Sequence, residues 1–529
     1  MSDALTTVRF GACERLQPYS VPMTPQRLTY QSLLAVLVLW LGGCTMLGPD
    51  FQTPEAQVPE TWSEQESGLF QKPSKDESIA WWTQFNDPVL DKLVQTAYAQ
   101  NLSLRSAGIR IMEARAQLGF VKGQLYPQVQ EMNGDLMTIG TTGSSDDRYY
   151  NAASIGFDAG WEMDFWGKFR RGIESADANY LATIADYDDV LVSLTAEVAR
   201  TYVNICTLEE RIHLAEKNTK IQQDGLQLVM YQFDAGTVTE LDVMQAKTLL
   251  TSTQSTIPNI QARLFIHKHS LAVLLGMLPG DLDDLLDKTE KIPTIDSDIA
   301  VDIPAELLRR RPDIRRAEMQ TAAQSARIGI ARAELFPSFT LFGSLGWSSS
   351  DRGDNDLDDI FDSNSFSYSF GPAFKWNLFN YGRLKNQVRI QDARLEQLIT
   401  AYQNTVLGAA REVEDSMTGF IYAKQEAEYL LQAIVSSKRS MELAALQYEE
   451  GFVGYQRVLD STRAMTQKQD QHAQLQGTIV TNVIGLYKVL GGGWQIRQGK
   501  EYLPRKTKEK MKQRTDWGNL LNEASPEGK

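Results

Sequence analysis

Cysteine and histidine are scarce, with three of one and four of the other in 529 residues. That leaves little material for a Cys/His metal cluster or a nucleophile–base pair. His267 and His269 stand two apart in a helical pattern and so point to different faces. No catalytic constellation, resident metal or cofactor emerges, and the chain reads as a non-enzyme. Basic charge is also short: 53 Lys and Arg face 67 Asp and Glu, a formal charge of −14. A nucleic-acid partner would call for a basic footprint, so none is expected. Long apolar runs are missing too. None reaches the ~18–20 residues of a membrane-spanning helix, and the mean hydropathy of −0.32 reads as soluble.

The longest apolar run, residues 32–41 (SLLAVLVLWL), has the length of a signal-peptide core, with Arg27 on its positive flank. It ends in Leu41-Gly42-Gly43-Cys44, which resembles a bacterial lipobox with Cys44 as the acylated residue. Residues 1–43 are therefore read as a lipoprotein signal peptide that starts at Met1 or Met23. Of the other cysteines, Cys13 lies in the leader and Cys206 in a helical pattern, which leaves no disulfide framework.

The remaining chain repeats itself. Leu104-Arg105-Ser106-Ala107 returns as Ile314-Arg315-Arg316-Ala317, and Leu125-Tyr126-Pro127 as Leu335-Phe336-Pro337, at an offset of 210. Past the next loop the offset becomes 215: Trp166-Gly167-Lys168 meets Tyr381-Gly382-Arg383, and Phe233…Gly236 meets Tyr448…Gly451. A constant shift over so long a stretch marks a tandem duplication. The organisation is an N-terminal arm over 44–100, a first repeat over 101–280 and a connection over 281–305. A second repeat covers 306–494, and a basic, partly disordered tail covers 495–529.

Each repeat reads helix, two strands, very long helix, turn, shorter helix. From Ile155 to Phe165 the odd residues are apolar or small and the even ones are Gly or acidic. From Phe366 to Leu378 the even positions carry Phe366, Tyr368, Phe370, Phe374 and Trp376. Residues 338–347 alternate more loosely, and 128–140 barely do. Short alternating segments with aromatic ends are the mark of transmembrane β-strands, with Trp166, Trp347 and Tyr381 as membrane-interface aromatics. A half-buried strand of a soluble sandwich is the alternative. Four strands cannot close a barrel, and bare sheet edges are not tolerated in lipid, so a barrel requires several copies of the chain. The proline-free runs 168–235 and 383–450 predict helices about 100 Å long. The shorter helices 101–126 with 238–276, and 310–336 with 455–490, would stack end to end to match them.

Together with Gly48-Pro49-Asp50-Phe51, Trp161-Glu162-Met163-Asp164-Phe165-Trp166-Gly167-Lys168, Arg311-Pro312-Asp313-Ile314-Arg315 and Leu490-Gly491-Gly492-Gly493-Trp494, these features resemble the TolC-type outer-membrane factors. The likeness is to their lipoprotein branch, the OprM- and NodT-like proteins, over about residues 44–495. It implies a mainly α protein with membrane β: a homotrimeric twelve-strand outer-membrane β-barrel continued by a long periplasmic α-helical barrel. It implies a lipid-anchored exit duct of a tripartite efflux system, with a periplasmic adaptor and an inner-membrane pump, of RND type, as partners. Small molecules such as drugs or metal ions would be the cargo. A duct for type I protein secretion and a lipid-tethered periplasmic coiled-coil scaffold without a pore are the alternatives. The resemblance also places the periplasmic aperture at the two far turns, Gly236 and Gly451. Asp242, Asp460, Arg457 and Tyr448 are then the gate residues, and Arg457 is a candidate latch to either aspartate.

Overall fold

In the computed structural model, the described residues are 45–522, apart from 59–60, 64–69, 72–79, 141–148, 287–290, 295–298, 301–309 and 353–355. The leader and Cys44 lie outside them. The chain builds α1 (Pro88–Gln100), α2 (Leu102–Gly123), β1 (Val129–Gly140), β2 (Tyr149–Met163), α3 (Lys168–Asp234) and α4 (Glu240–Leu274). The second copy gives α5 (Pro312–Ala333), β3 (Ser338–Ser350), β4 (Phe366–Lys375), α6 (Arg383–Glu449) and α7 (Tyr455–Val489), followed by α8 (Arg505–Arg514). The duplication is visible atom by atom. The Trp161 indole N–H donates to the Leu125 carbonyl at 3.1 Å, and its counterpart Trp376 donates to the Leu335 carbonyl at 3.1 Å.

α3 and α6 have 67 residues each, which corresponds to shafts about 100 Å long at 1.5 Å per residue. α3 packs against α2, α4, α5 and α7, and α6 packs against α5 and α7. The stacking of short helices takes a different chemical form in each copy. Asn101 caps α2 by accepting from Leu104 N at 2.8 Å and donates through Nδ2 to the Leu274 carbonyl at the end of α4. At the matching junction, Arg311 Nη1 donates to the Val489 carbonyl at the end of α7, 2.8 Å away. Each junction satisfies a carbonyl that a helix C-terminus leaves unpaired.

The sheet is antiparallel in the order β1-β2-β3-β4, with β1 and β4 as its edges. Its register aligns Met132, Phe157, Leu345 and Tyr368 across one face, with Ile155, Trp347 and Phe366 in the next row. The opposite face aligns Glu131, Asp158, Ser344 and Ser369, and Asn133 Nδ2 donates to Asp158 there at 2.6 Å. One face is thus apolar and the other hydrogen-bonding, as directly opposed residues of antiparallel strands share a side. The expected strand 155–165 stops at Met163, which changes the role of Asp164. Its carboxylate accepts from Phe169 N at 3.1 Å and Arg170 N at 3.0 Å, capping α3 instead of facing the sheet's polar side.

The core lies where the arm, α1, α2, α3 and α7 meet. Trp62, Trp81 and Trp82 are buried there, and Trp81 stacks on Tyr487 with ring centroids 5.5 Å apart. Cys206 is buried in the same cluster, and that burial pushes its thiol up to about 12, far from the reactive thiolate range. The first described residues are pinned where sheet and shaft join. Leu47 N donates to the Trp166 carbonyl at 3.1 Å, and the buried Arg171 donates through Nε to the Leu47 carbonyl and through Nη2 to Asp50. Gly48, at φ +99°, lies so close to Gly329 of α5 that a Cβ on either would fall 2.5 Å from the other segment's backbone.

The tail is described up to residue 522. Its described residues fold back onto the core, burying Tyr502, Leu503, Met511 and Leu521. Arg497 forms a buried, two-armed pair with Asp188, whose Nη2–Oδ2 arm measures 2.8 Å. The basic composition hid four apolar anchors spaced among the lysines.

Two outcomes follow from this packing. Arg497→Ala leaves Asp188 buried without its main partner and should destabilise the fold by about 3–5 kcal/mol in denaturant unfolding. A change below about 1 kcal/mol would show that Asp188 is satisfied without it. Gly329→Val should dislodge residues 45–50 and expose them to limited proteolysis. Unaltered protection would refute the close approach.

Candidate functional site

The candidate site residues fall at the two ends of the shaft. At the far end, α3 and α6 each turn through a left-handed glycine, Gly236 at φ +76° and Gly451 at +79°. Gly236 N donates to the Phe233 carbonyl and Thr237 N to the Gln232 carbonyl, both at 2.9 Å. Gly451 N to Tyr448 O and Phe452 N to Gln447 O repeat the pattern. These are C-capping turns of the kind glycine allows, so both residues close helices.

Beyond the first turn, Thr239 and Asp242 form a capping box. Thr239 donates to Asp242 Oδ2 through its backbone N at 3.0 Å and its hydroxyl at 2.7 Å. Asp242 is half-buried, and its acidic charge sits at the positive end of α4. Asp460 is exposed on α7, where it accepts from Gln456 Nε2 at 3.0 Å and pairs with Arg463 at 3.3 Å. Arg457, the candidate latch, is exposed and makes no ion pair with either aspartate within the chain among the described residues. The physical reason is local: each carboxylate is already engaged by donors on its own helix or turn.

Tyr448 ties the two turns together. Its hydroxyl donates to Gln232 Oε1 on α3, and its ring lies 5.1 Å from that of Tyr455 on α7. Both rings belong to a small apolar cluster with Val229, Ala246 and Leu459. Burial pushes the Tyr455 hydroxyl up to about 12, and burial together with the nearby Asp242 raises that of Tyr448. Both are therefore neutral hydrogen-bonding groups at ordinary pH. Sequence reading missed Tyr455, Gln232 and Thr239. The Thr239-x-x-Asp242 spacing was a usable signal, because it is that of a capping box. Around this cluster, Phe233, Leu241, Met244 and Phe452 are exposed.

At the sheet end, the anticipated aromatics fall at two levels. Trp166 is at the helix side, its indole N–H donating to the Pro337 carbonyl at 2.8 Å and its ring 4.8 Å from Phe336. Tyr381, fully exposed at φ +50°, occupies the matching place in the second copy. Trp347 lies toward the far end, among Phe361 and Phe366. Trp347 pairs with Ile155 and Leu341 with Trp161. Trp166 reaches Pro337, ten residues before Trp347, so the two aromatic levels are about 33 Å apart along the strand.

Comparison with known proteins agrees with this geometry. The chain is 30% identical over 477 residues to the pyoverdine export outer membrane protein OpmQ of Pseudomonas aeruginosa, covering 87% of this chain and 97% of that one. It is 29% identical over 465 residues to the cation efflux system protein CusC of Escherichia coli, covering 87% and 98%. Among solved structures, the outer-membrane channel OprN superposes with a TM-score of 0.79 at 32% identity, covering 85% of this chain and all of that one. A family profile described as outer membrane efflux protein matches residues 93–277 and 303–492, one stretch in each repeat. The chain belongs to the outer membrane efflux protein family.

Proposed function

We propose that three copies of this chain close their sheets into one twelve-strand barrel in the outer membrane and their helices into a periplasmic tube. The assembly is the exit duct of a tripartite efflux system that carries small molecules to the cell exterior. The observation that carries this reading is the four-stranded sheet with two free edges, one apolar face and one hydrogen-bonding face. A sheet like that can enter lipid only when its edges are paired, and a single chain has too few strands to pair them. The apolar row Met132, Phe157, Leu345 and Tyr368 then faces lipid, and the row of Glu131, Asp158, Ser344 and Ser369 lines the water.

Lipidation at Cys44 fits the same picture. Residues 45–50 are held beside Trp166 and Arg171 at the base of the sheet, so an acyl chain on the preceding residue would start at membrane level. The energy of transport comes from an inner-membrane pump, of RND type, because the chain itself offers only a conduit. A periplasmic adaptor docks at the far turns, where exposed Phe233, Leu241, Met244 and Phe452 supply an apolar surface. Relatives named for cation efflux, pyoverdine export and solvent efflux share one scaffold, which supports a duct that leaves cargo choice to its pump.

Asp242, Asp460, Arg457 and Tyr448 are proposed to form the aperture. Three copies of Asp242 and Asp460 make acidic rings that attract cations at a constriction. Arg457, unpaired within its own chain among the described residues, is available to an aspartate of a neighbouring copy.

The purified protein in a planar bilayer should show stepwise conductance. A membrane that stays silent after verified insertion would overturn the duct. Asp242→Asn can still accept the Thr239 bonds, so it should fold normally while reducing block by multivalent cations several-fold. Unchanged block would remove Asp242 from the aperture. Tyr448→Phe deletes the tie to Gln232 and should raise the open fraction without altering single-channel size. An unchanged open fraction would contradict a gating role.

A further inference from the structure

The basic tail is fixed to the shaft, and it carries charge that the fold does not use. Residues 500–514 hold seven Lys or Arg against two Glu, in a chain whose formal charge is −14. Part of that charge is structural. Lys508 pairs with Glu501 at 2.7 Å, Arg505 with Glu509 at 3.0 Å, and Lys512 donates to Asn522 at 3.1 Å. The Lys500 ammonium sits over the Tyr98 ring, 4.9 Å from its centroid.

Lys506, Lys510 and Arg514 are different. They are spaced i, i+4, i+8 along α8, all are exposed, and none has an ion-pair partner among the described residues. The nearby Asp516 is turned onto its own loop, accepting from Gly518 N at 2.9 Å. Like charges at this spacing oppose the formation of an isolated helix. α8 tolerates them because Tyr502, Leu503, Met511 and Leu521 lock the segment from both sides, and Arg115 donates to the Leu520 carbonyl at 2.7 Å. The result is a rigid rail of three cations pointing away from the shaft.

We infer that this rail is a docking surface for a carboxylate-rich polymer, the stem peptides of peptidoglycan. The inference rests on the periplasmic placement of the shaft proposed above. Height along the shaft selects the partner. The tail is held between Asp188, 20 residues into α3, and Arg115 beside Tyr180, 12 residues in, so it lies about 18–30 Å from the sheet end and about 70 Å from the far turns. Membrane headgroups are therefore about two to three Debye lengths away, where their field is largely screened. An adaptor seated on the far turns is out of reach as well. What a cation rail meets at that height is the anionic mesh between, and a rigid array of three charges gains avidity from its repeated carboxylates.

The test is co-sedimentation of the purified full-length protein with isolated peptidoglycan sacculi, with vesicles rich in anionic lipid run in parallel. Wild-type protein should sediment with sacculi, and raising ionic strength from about 0.05 to about 0.3 M should release it. The triple variant Lys506→Gln, Lys510→Gln, Arg514→Gln should bind at least about tenfold more weakly. Its melting curve and bilayer conductance should match wild type, since all three side chains are exposed. Lys508→Gln, which removes a paired cation, should retain binding and serves as the control. Absence of wild-type sedimentation, equal binding by the triple variant, or binding to vesicles in place of sacculi would each overturn the proposal. Loss of conductance with retained sacculus binding would count against the duct and not against the rail.

Discussion

A backbone N–H or C=O group in hydrocarbon has no water to turn to, and leaving it unpaired costs several kcal/mol. That constraint governs the rest of this molecule. β1 and β4 present free edges, and the sheet between them has an apolar face made of Phe157, Leu345 and Tyr368. The sheet is stable in lipid only as an arc of a larger ring. Once the ring is required, the shaft has to follow it, because α3 and α6 leave the sheet directly after β2 and β4. In the proposed trimer, a closed barrel and a tube are therefore consequences of the same arc.

The duplication explains how one chain meets this demand cheaply in sequence. Each copy supplies a hairpin and a long helix with a stacked pair beside it, so the arc is built from two related halves. The halves diverge where they perform different tasks. Asn101 and Arg311 join their helix stacks through an amide and a guanidinium respectively. Thr239 and Asp242 cap α4, whereas α7 begins at Gly454 without a side-chain cap. The far turns are thus alike in backbone and unlike in charge.

Much of this was legible because it is periodic. Long proline-free runs set the lengths of α3 and α6, and alternation from Ile155 onward marked β2. β1 was nearly illegible for a physical reason. Its apolar side carries Met132 and Leu136 among Gln130 and Thr138, and only pairing with β2 shows which side that is. Asp164 was read with the strand by alternation, but a carboxylate just before a helix finds two backbone N–H donors and caps it. The packing of the tail's described residues was not legible, since four anchors scattered over twenty residues leave no periodic trace. Within the chain, short-range donors engage Asp242 and Asp460, and Arg457 pairs with neither among the described residues. Contacts between copies are invisible to a single sequence.

The dependence of every part on edge closure makes stoichiometry the most direct measurement. Native mass spectrometry of the detergent-extracted protein counts chains per particle without assuming a function. Three chains per particle is the expected result, in agreement with four strands from each. A stable particle of one or two chains would leave the edges of β1 and β4 unpaired in the membrane and would contradict the barrel.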